Sequence, residues 1–382
     1  MNYNIFSSTA PAMPKPGKGT EFVKLALSQA SKDMREVLIP MAIPALAAHL
    51  TDVRFMYCDN KFYEMCGQMG HLIGPSGIGK AQLSHLVEAI MRPFRKHDEI
   101  EYKKLVDWQR QMKTKGANKE KPERPDVSFW FPPADITNPA FIQNAMALEK
   151  LGERTQYLNL PEVEMADKMC GGHRQVSQMV RNIYDCQRAG ALRATADGVT
   201  GNPVLRVNLT FTSTPDAARL FYKKDLTNGF FGRIPFAYKA RGERLGRIPR
   251  QGTYGQDFME QLDSYLLRLD NCKGAFTVKP LNKIADQLAE EMAKLADLAD
   301  DDMLWELSHR SIFSAWKKGA VLWILNDQQW ARSIGDFVVW FCYYDLWSKV
   351  KVFGDMFKGA EANEEETQKS GPKNMLDSLD NS

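Results

Sequence analysis

The sequence has little net charge, few cysteines and no long uninterrupted apolar run. Its 50 basic and 47 acidic residues leave a formal net charge of +3, so overall charge gives no argument for nucleic-acid binding. Its 6 cysteines include no Cys-x-x-Cys pair, and the closest two, Cys58 and Cys66, lack the spacing of a zinc site. We therefore expect reduced, mostly buried thiols. The most apolar segment, residues 333–347, is too short and too interrupted to cross a bilayer.

Residues 1–20 lack the basic region and the apolar stretch of a secretory signal, so we expect a cytoplasmic protein. This segment is short of hydrophobic residues and rich in Pro, Ser, Gly and Lys, which predicts disorder. The hydrophobic content of the whole chain, 44%, is typical of a globular protein with a buried core.

The most informative motif is a glycine-rich segment between a predicted strand and a predicted helix. The apolar run at residues 69–73 predicts a buried strand, and the amphipathic run at residues 83–90 predicts a helix. Glycines between them let backbone N–H groups turn toward a triphosphate, while Lys80 reaches the β and γ phosphates. The alternative is a glycine turn that only connects strand and helix. The predicted ATP-binding residues here are Gly74, Pro75, Ser76, Gly77, Ile78, Gly79, Lys80 and Ala81.

Ala81 is a departure from this motif. A Ser or Thr normally follows the lysine, and its hydroxyl binds the Mg²⁺ that accompanies ATP. Because Ala81 has no hydroxyl, the sequence predicts nucleotide binding more firmly than hydrolysis.

Apolar strands alternate with helices from residue 57 onward, which predicts an α/β fold with a parallel sheet. The predicted strands are residues 69–73, 127–131, 155–160, 204–212 and 234–239. Helical patterns with aromatic inner faces follow at residues 281–298, 305–325 and 333–351. The predicted divisions are a disordered N-terminus (1–20), accessory helices (21–56), a nucleotide-binding core (57–245), a helical domain (255–357) and a disordered tail (358–382).

Catalysis at a phosphate loop needs an acidic side chain at the end of a neighbouring strand. Glu162 and Glu164 follow the strand predicted at residues 155–160, and we favour Glu162 as the catalytic and Mg²⁺-binding residue, with Glu164 as its partner. The plain alternative is a pair of surface glutamates in the first turn of a helix, where acidic residues are common. Thr212 ends a further strand, where its hydroxyl is a candidate contact for the γ-phosphate. The Ser-Thr cluster around Thr212 could instead cap the next helix.

Two groups of arginines are candidates for other contacts. Arg193 lies within a predicted hairpin at residues 190–203, Arg188 and Arg206 lie on either side of it, and all three are candidate contacts for a DNA backbone. The alternative is a structural hairpin whose arginines pair with acids. Arg233 follows a Gly-Phe-Phe-Gly sequence and is a candidate arginine finger that stabilises charge on the γ-phosphate of a neighbouring subunit. The alternative is that Arg233 pairs with a carboxylate of its own chain.

Five segments together resemble the helicase-like P-loop ATPases of plasmids, prophages and conjugative transposons, which are often fused to primase or VirE-like domains. They are the phosphate loop, Leu-x-Leu-x-Glu at residues 158–162, Arg-Ala-Thr-Ala-Asp-Gly at residues 193–198, the strand predicted at residues 204–212 and Gly-Phe-Phe-Gly-Arg at residues 229–233. The resemblance covers residues 57–353. The chain departs from the family at Ala81 and in lacking an Asp-Glu pair in the acidic strand.

The resemblance implies a P-loop NTPase core of the RecA/AAA-like kind with a C-terminal helical domain that carries Arg310 toward the nucleotide. It implies ATP and Mg²⁺ as ligands, DNA as a partner with single strands preferred, and a homo-oligomer for which a hexameric ring is one form. Our leading hypothesis is an ATP-dependent motor or loader that acts on DNA in the replication or mobilisation of a mobile genetic element. The alternative is a DNA-associated scaffold or regulator that binds nucleotide and hydrolyses it weakly or not at all.

Overall fold

The computed structural model describes residues 3–114, 122–190, 192, 198–226, 229–240 and 250–369, except for the side chains of residues 173–174 and 358–369. The strands are β1 Val53–Met56, β2 Phe62–Glu64, β3 Met69–Ile73, β4 Gln156–Leu160, β5 Val207–Ser213, β6 Phe236–Tyr238 and β7 Gly274–Phe276. The helices are α1 Glu21–Ala26, α2 Arg35–Ala48, α3 Ala81–Ile90, α4 Arg92–Thr114, α5 Asn138–Lys150, α6 Met165–Cys170, α7 His173–Tyr184, α8 Pro215–Tyr222, α9 Gln256–Asn271, α10 Lys279–Ala299, α11 Asp302–Leu325 and α12 Arg332–Lys369. Short 3-10 turns lie at Lys32–Met34 and Phe231–Arg233.

β3 lies inside a parallel four-stranded sheet with the order β4-β5-β3-β6. Every residue of β3 and of β5 is buried, because both faces of the sheet are covered, and continuous apolar runs are typical of such strands. The predicted α/β class with a parallel sheet is therefore confirmed, as are four of the predicted strands, of which β3 has the predicted bounds and the others differ by one to three residues at their ends. β2, β1 and β7 form a separate three-stranded sheet.

The strand predicted at residues 127–131 is irregular, although it lies beside β4. Trp130 O accepts a hydrogen bond from Tyr157 N of β4 at 2.9 Å. The N–H groups of Trp130 and Phe131 both donate to the Asp98 carboxylate of α4, each at 2.8 Å. Phe129 N donates to Asn144 Oδ1 at 2.7 Å. Side chains therefore take the N–H groups that a further strand would bind, and the apolar pattern alone could not reveal this.

α2 covers one face of the sheet and is part of the core. Thr210 Oγ1 donates to Met41 O at 3.3 Å, and Asn208 Nδ2 donates to Pro44 O at 3.1 Å. A Cβ at Gly70 would lie 2.9 Å from the Met41 sulfur, so glycine is needed for this close approach. The prediction that residues 21–56 are accessory is therefore wrong for α2.

α12 closes the free edge of β6. The N–H of Phe236 donates to Asp345 Oδ1 at 2.7 Å, and that of Tyr238 donates to Ser348 Oγ at 3.0 Å. The second oxygen of Asp345 accepts from Lys349 Nζ at 2.8 Å and from Ser311 Oγ of α11 at 2.6 Å. These bonds join the C-terminal helices to the sheet.

The predicted boundary between residues 57–245 and residues 255–357 falls inside one continuous hydrophobic cluster. Side chains of the sheet, of α2 and of the C-terminal helices all belong to this cluster. The C-terminal helices therefore share one core with the sheet and do not form the separate helical domain that we predicted. None of the helices in the described ranges is long and apolar enough to cross a membrane.

Residues 3–20 pack against α12, so the prediction of a disordered N-terminus is wrong for them. Ile5 is buried. The indole N–H groups of Trp340 and Trp347 donate to Pro11 O and Ser7 O, both at 2.9 Å. Buried tryptophans need acceptors for these groups, and the proline-rich segment provides backbone carbonyls. Composition gave no sign of this complementarity.

Cys66 and Cys186 form a disulfide, so the expectation of reduced thiols is wrong for this pair. They lie 120 residues apart in the sequence, and this spacing carries no signal. The other cysteines, Cys58, Cys170, Cys272 and Cys342, are free, and all but Cys58 are buried.

Asp345→Ala is expected to lower the free energy of unfolding by about 3–5 kcal/mol, because it leaves the buried Lys349 ammonium without its counter-charge and the Phe236 N–H without its acceptor. Urea unfolding followed by circular dichroism measures the loss. The control is Asp355→Ala, which removes an exposed carboxylate from the same helix and should change little. Equal losses in the two variants would contradict the assignment.

Candidate functional site

The predicted phosphate loop lies at the carboxyl end of β3, where the direction of the chain connections changes. After β3 the chain crosses to β4, which lies on one side of β3 with β5 between them. After β5 the chain crosses back to β6, which lies on the other side of β3. Ligands of open α/β sheets commonly bind in the crevice at such a switch point. Because the strands are parallel, the residues that follow β3, β4 and β5 meet at this edge, which we call the carboxyl edge of the sheet.

The glycines of the loop are required by backbone conformation and by space. Gly77 and Gly79 have φ angles of +79° and +94°, in the left-handed region that favours glycine. A Cβ at Gly74 would lie 2.2 Å from Ile78 Cδ1. The loop is therefore a tightly folded turn between β3 and α3 that side chains at these positions would disrupt.

The Lys80 ammonium folds back over this loop. Its Nζ donates to Gly74 O at 2.6 Å and to Pro75 O at 3.2 Å. Burial lowers the pKa of Lys80. No carboxylate pairs with Lys80 in the described part of the chain, so its charge is available to an anion at the loop.

Gln82, which the sequence reasoning missed, ties the loop to the turn before α2. Its Oε1 accepts from Ser31 N and its Nε2 donates to Ser31 Oγ, both at 2.9 Å. Met34 in the same turn lies 3.7 Å from the position of a Cβ on Gly79. The sequence signal that could have identified Gln82 was its place directly after the motif, in the first turn of α3. Its side chain is buried there.

His71 is a second missed residue, inside the apolar run of β3. Its Nδ1 lies 2.9 Å from Tyr222 Oη, and its Nε2 lies 2.8 Å from Ser213 Oγ. Burial, with a smaller effect of Lys80, lowers the pKa of His71 to about 3, so the ring is neutral. Since Gly74 N also donates to Ser213 O at 3.1 Å, this network fixes the start of the loop to the end of β5.

Each hydroxyl at the end of β5 has a protein partner. Thr212 Oγ1 donates to Pro161 O, beside Glu162. Thr214 Oγ1 accepts from Ala217 N at 3.3 Å and caps α8. This is the helix cap that we gave as the alternative role of the Ser-Thr cluster. Thr212 therefore lies at the predicted edge and positions the segment that carries the glutamates.

Glu162 and Glu164 are exposed and follow β4 at the carboxyl edge. Neither makes an ion pair within the described residues. Asn159, two residues before Pro161, pairs with Thr210 and shares its face of the sheet. Its Oδ1 is buried and has no hydrogen-bond partner among the described residues. An amide in an otherwise apolar strand end was the signal that could have identified it.

Arg233 lies before β6, near the edge where the parallel strands begin and opposite the phosphate loop. Its guanidinium donates to Gly229 O at 2.7 Å and pairs with Asp185 at 3.3 Å. Arg233 therefore pairs with a carboxylate of its own chain, as the alternative to the arginine finger predicts. Arg310 lies beside it, with its guanidinium carbon 5.6 Å from the centre of the Tyr184 ring, and is likewise away from the chain's own loop.

The DNA-contact candidates also lie away from the carboxyl edge. Arg206 precedes β5, is largely buried and pairs with Glu64 at 2.9 Å and with Glu153 at 3.2 Å. Arg188 pairs with Glu149 at 3.1 Å. Both arginines therefore pair with acids, as the alternative of a structural hairpin predicts. Arg193 lies outside the described residues.

The metal-ligating side chains that the described residues bring together are Glu64, Cys66 and Cys186. The disulfide occupies both sulfur atoms, and Arg206 pairs with Glu64. This cluster lies near the start of β3 and does not fit the Mg²⁺ expected with ATP, which prefers oxygen ligands.

The carboxyl edge therefore brings together a glycine loop with a lysine, the end of a hydroxyl-bearing strand and two exposed glutamates. No model of a known protein family matches this chain, and a search of curated proteins likewise found no match.

Proposed function

We propose that the chain binds ATP at residues 74–81 and belongs to the RecA/AAA-like P-loop ATPases. The observation that carries this proposal is the Lys80 ammonium, which bonds only to carbonyls of its own loop, at the end of a central parallel strand. The loop leads directly into α3, and the N-terminus of a helix favours anions. Phosphate oxygens would replace the two carbonyls as acceptors for Lys80.

The strand order supports the same class of fold. The hydroxyl-bearing strand β5 lies between the loop strand β3 and the acidic strand β4. Thr212 would then lie between a γ-phosphate at the loop and the segment of Glu162. In this arrangement Glu162 orients the attacking water, and Thr212 holds Pro161 so that the glutamate stays at the edge.

The residues at this edge fit Mg²⁺ incompletely. The unpartnered amide oxygen of Asn159 and the carboxylate of Glu162 are oxygen ligands, which Mg²⁺ prefers. Mg²⁺, when bound, neutralises charge on the phosphates. Ala81, exposed at the start of α3, supplies no ligand.

We further propose a helicase-like role on single-stranded DNA within a homo-oligomer, for which a hexameric ring is one form. The support is the location of Arg233 at the edge opposite its own loop, since a contact with nucleotide would then involve a neighbouring subunit. A second candidate function is a scaffold that binds ATP without hydrolysing it, and Ala81 favours this candidate.

Lys80→Ala should weaken ATP binding by roughly ten-fold to a hundred-fold, because hydrogen bonds to charged groups contribute about 1.5–3 kcal/mol. Titration with a fluorescent ATP analogue measures the affinity. Lys294→Ala, which removes an exposed lysine of α10, is the matched control. If both variants bind ATP like the unaltered chain, the segment is only a connecting turn.

Ala81→Ser should raise the rate of ATP hydrolysis, because it restores a hydroxyl ligand for Mg²⁺. Release of inorganic phosphate is measured with and without single-stranded DNA. Ala81→Cys is the control, because it adds a side chain of similar size that Mg²⁺ does not favour. Tight ATP binding with no gain in the serine variant would support the scaffold.

Arg233→Ala should reduce turnover far more than ATP affinity, because an arginine finger acts on charge that develops in the transition state. Asp185→Ala is the control, since it breaks the same ion pair and keeps the guanidinium. Mixing Arg233→Ala with Lys80→Ala subunits should restore part of the activity if the site is shared. Equal turnover in the Arg233 and Asp185 variants, or no recovery in mixed oligomers that demonstrably form, would leave Arg233 a purely structural role.

A further inference from the structure

A second pocket lies near the edge where β3 begins, opposite the phosphate loop. Its volume is about 790 Å³, within the range of small-ligand sites. Its wall includes Tyr184 of α7, and a Cβ at Gly67, just before β3, would lie 2.5 Å from Tyr184 O. A strand of the length of β3 spans roughly 17 Å. The pocket is therefore separate from the loop of the same chain.

The pocket is lined by one arginine and by aromatic side chains of β2, α7, α11 and the turn that follows β1. These residues are Tyr57, Tyr63, Tyr184, Trp305, Arg310 and Phe313. Tyr57, Tyr63 and Phe313 meet edge to face, with ring centres 4.9–6.2 Å apart. Trp305 is 37% exposed, so its indole surface is accessible from the pocket. Surfaces of this kind suit the flat face of a planar ring.

Hydrogen-bonding capacity is left unused at this pocket. Tyr184 is only 6% exposed, and its hydroxyl lies beside the guanidinium of Arg310. Arg310 makes no ion pair with any described residue, and Asp185, which also lines the pocket, pairs with Arg233. A guanidinium pairs most strongly with anionic oxygens, so Arg310 without a carboxylate partner in an aromatic pocket points to a ligand with acceptor oxygens.

The acidic residues at the pocket limit the charge of that ligand. Asp302 and Glu306 also line it, and both are exposed. Their carboxylates would repel a triphosphate, whereas a single phosphate can pair with Arg310 at lower cost. A planar ring with one phosphate fits these constraints better than a polyphosphate.

We propose that this pocket binds one nucleotide unit, with its base against the aromatic wall and its single phosphate at Arg310 and Tyr184. The unit comes either from a free nucleoside monophosphate or from one position of a single strand of DNA. The proposal does not depend on ATP binding at residues 74–81.

The test uses the full chain with Lys80→Ala, so that a contribution from the phosphate loop is removed. Isothermal titration with AMP should detect binding, whereas adenosine and inorganic phosphate alone should bind far more weakly. An eight-residue oligo(dT) is titrated in parallel: tighter binding than AMP identifies the strand as the source, and weaker binding identifies the free nucleotide. Adding Arg310→Ala should weaken the better ligand by roughly ten-fold or more.

Arg332→Ala is the matched control, since it removes an exposed arginine at the start of α12 and should leave the affinity unchanged. Trp305→Ala at the exposed pocket wall tests the aromatic contact without disturbing the core, and Trp305→Phe should restore much of the affinity. The proposal is overturned if neither AMP nor oligo(dT) binds at millimolar concentration. It is equally overturned if the Arg310 variant binds like the Arg332 control, or if adenosine binds as well as AMP.

Discussion

The buried carboxylate of Asp345 is the contact through which the sheet and the C-terminal helices become one structure. One of its oxygens accepts the outward N–H of β6, and the other accepts from Lys349 and from Ser311 of α11. An unpaired charge at this position would cost several kcal/mol, whereas the complete set of partners satisfies it. Because β6 is hydrogen-bonded to β3, the position of the glycine loop depends on this helix contact as well as on the sheet.

The two edges of the sheet carry different chemistry. At the carboxyl edge, glycines, Lys80 and exposed glutamates surround a turn that suits phosphates. At the opposite edge, aromatic rings and Arg310 surround a pocket that suits a ring with one charge. At the carboxyl edge, the His71 network bonds β3 to the end of β5, and Gln82 bonds the start of α3 to the turn before α2. The disulfide between Cys66 and Cys186 holds the chain segments beside the second site.

Hydrophobic periodicity and glycine spacing were sufficient to predict the helices, strands and turns that neighbouring residues determine. The run Met69–Ile73, its loop and α3 lie where periodicity and glycine spacing put them, and the C-terminal helices follow their apolar faces. Pattern failed where distant residues decide the structure. Asp98 and Asn144 bind the N–H groups of residues 129–131, and buried indoles give residues 3–20 their fixed path.

The same limit applied to the candidate site. Lys80 and the loop glycines are recognisable by spacing alone, whereas the roles of His71, Asn159 and Gln82 depend on strand register and on partners far away in the sequence. Arginine positions were equally ambiguous, because a basic residue near a hairpin fits either a phosphate or a carboxylate. The ion pairs of Arg206 and Arg233 could be assigned only from the folded chain.

The segment at residues 127–131 has a consequence for assembly. It lies along β4 and bonds to Tyr157 N, while α12 takes the outward N–H groups of β6. Exposed strand edges are the usual templates for pairing with another chain, and both borders of this sheet are covered. Copies of the protein cannot therefore join by extending the sheet from one subunit into the next. Any ring or filament must be held together by other surfaces, such as helix faces, loops or the exposed edge strands β2 and β7, and these contacts can loosen and re-form without disrupting the four-stranded sheet.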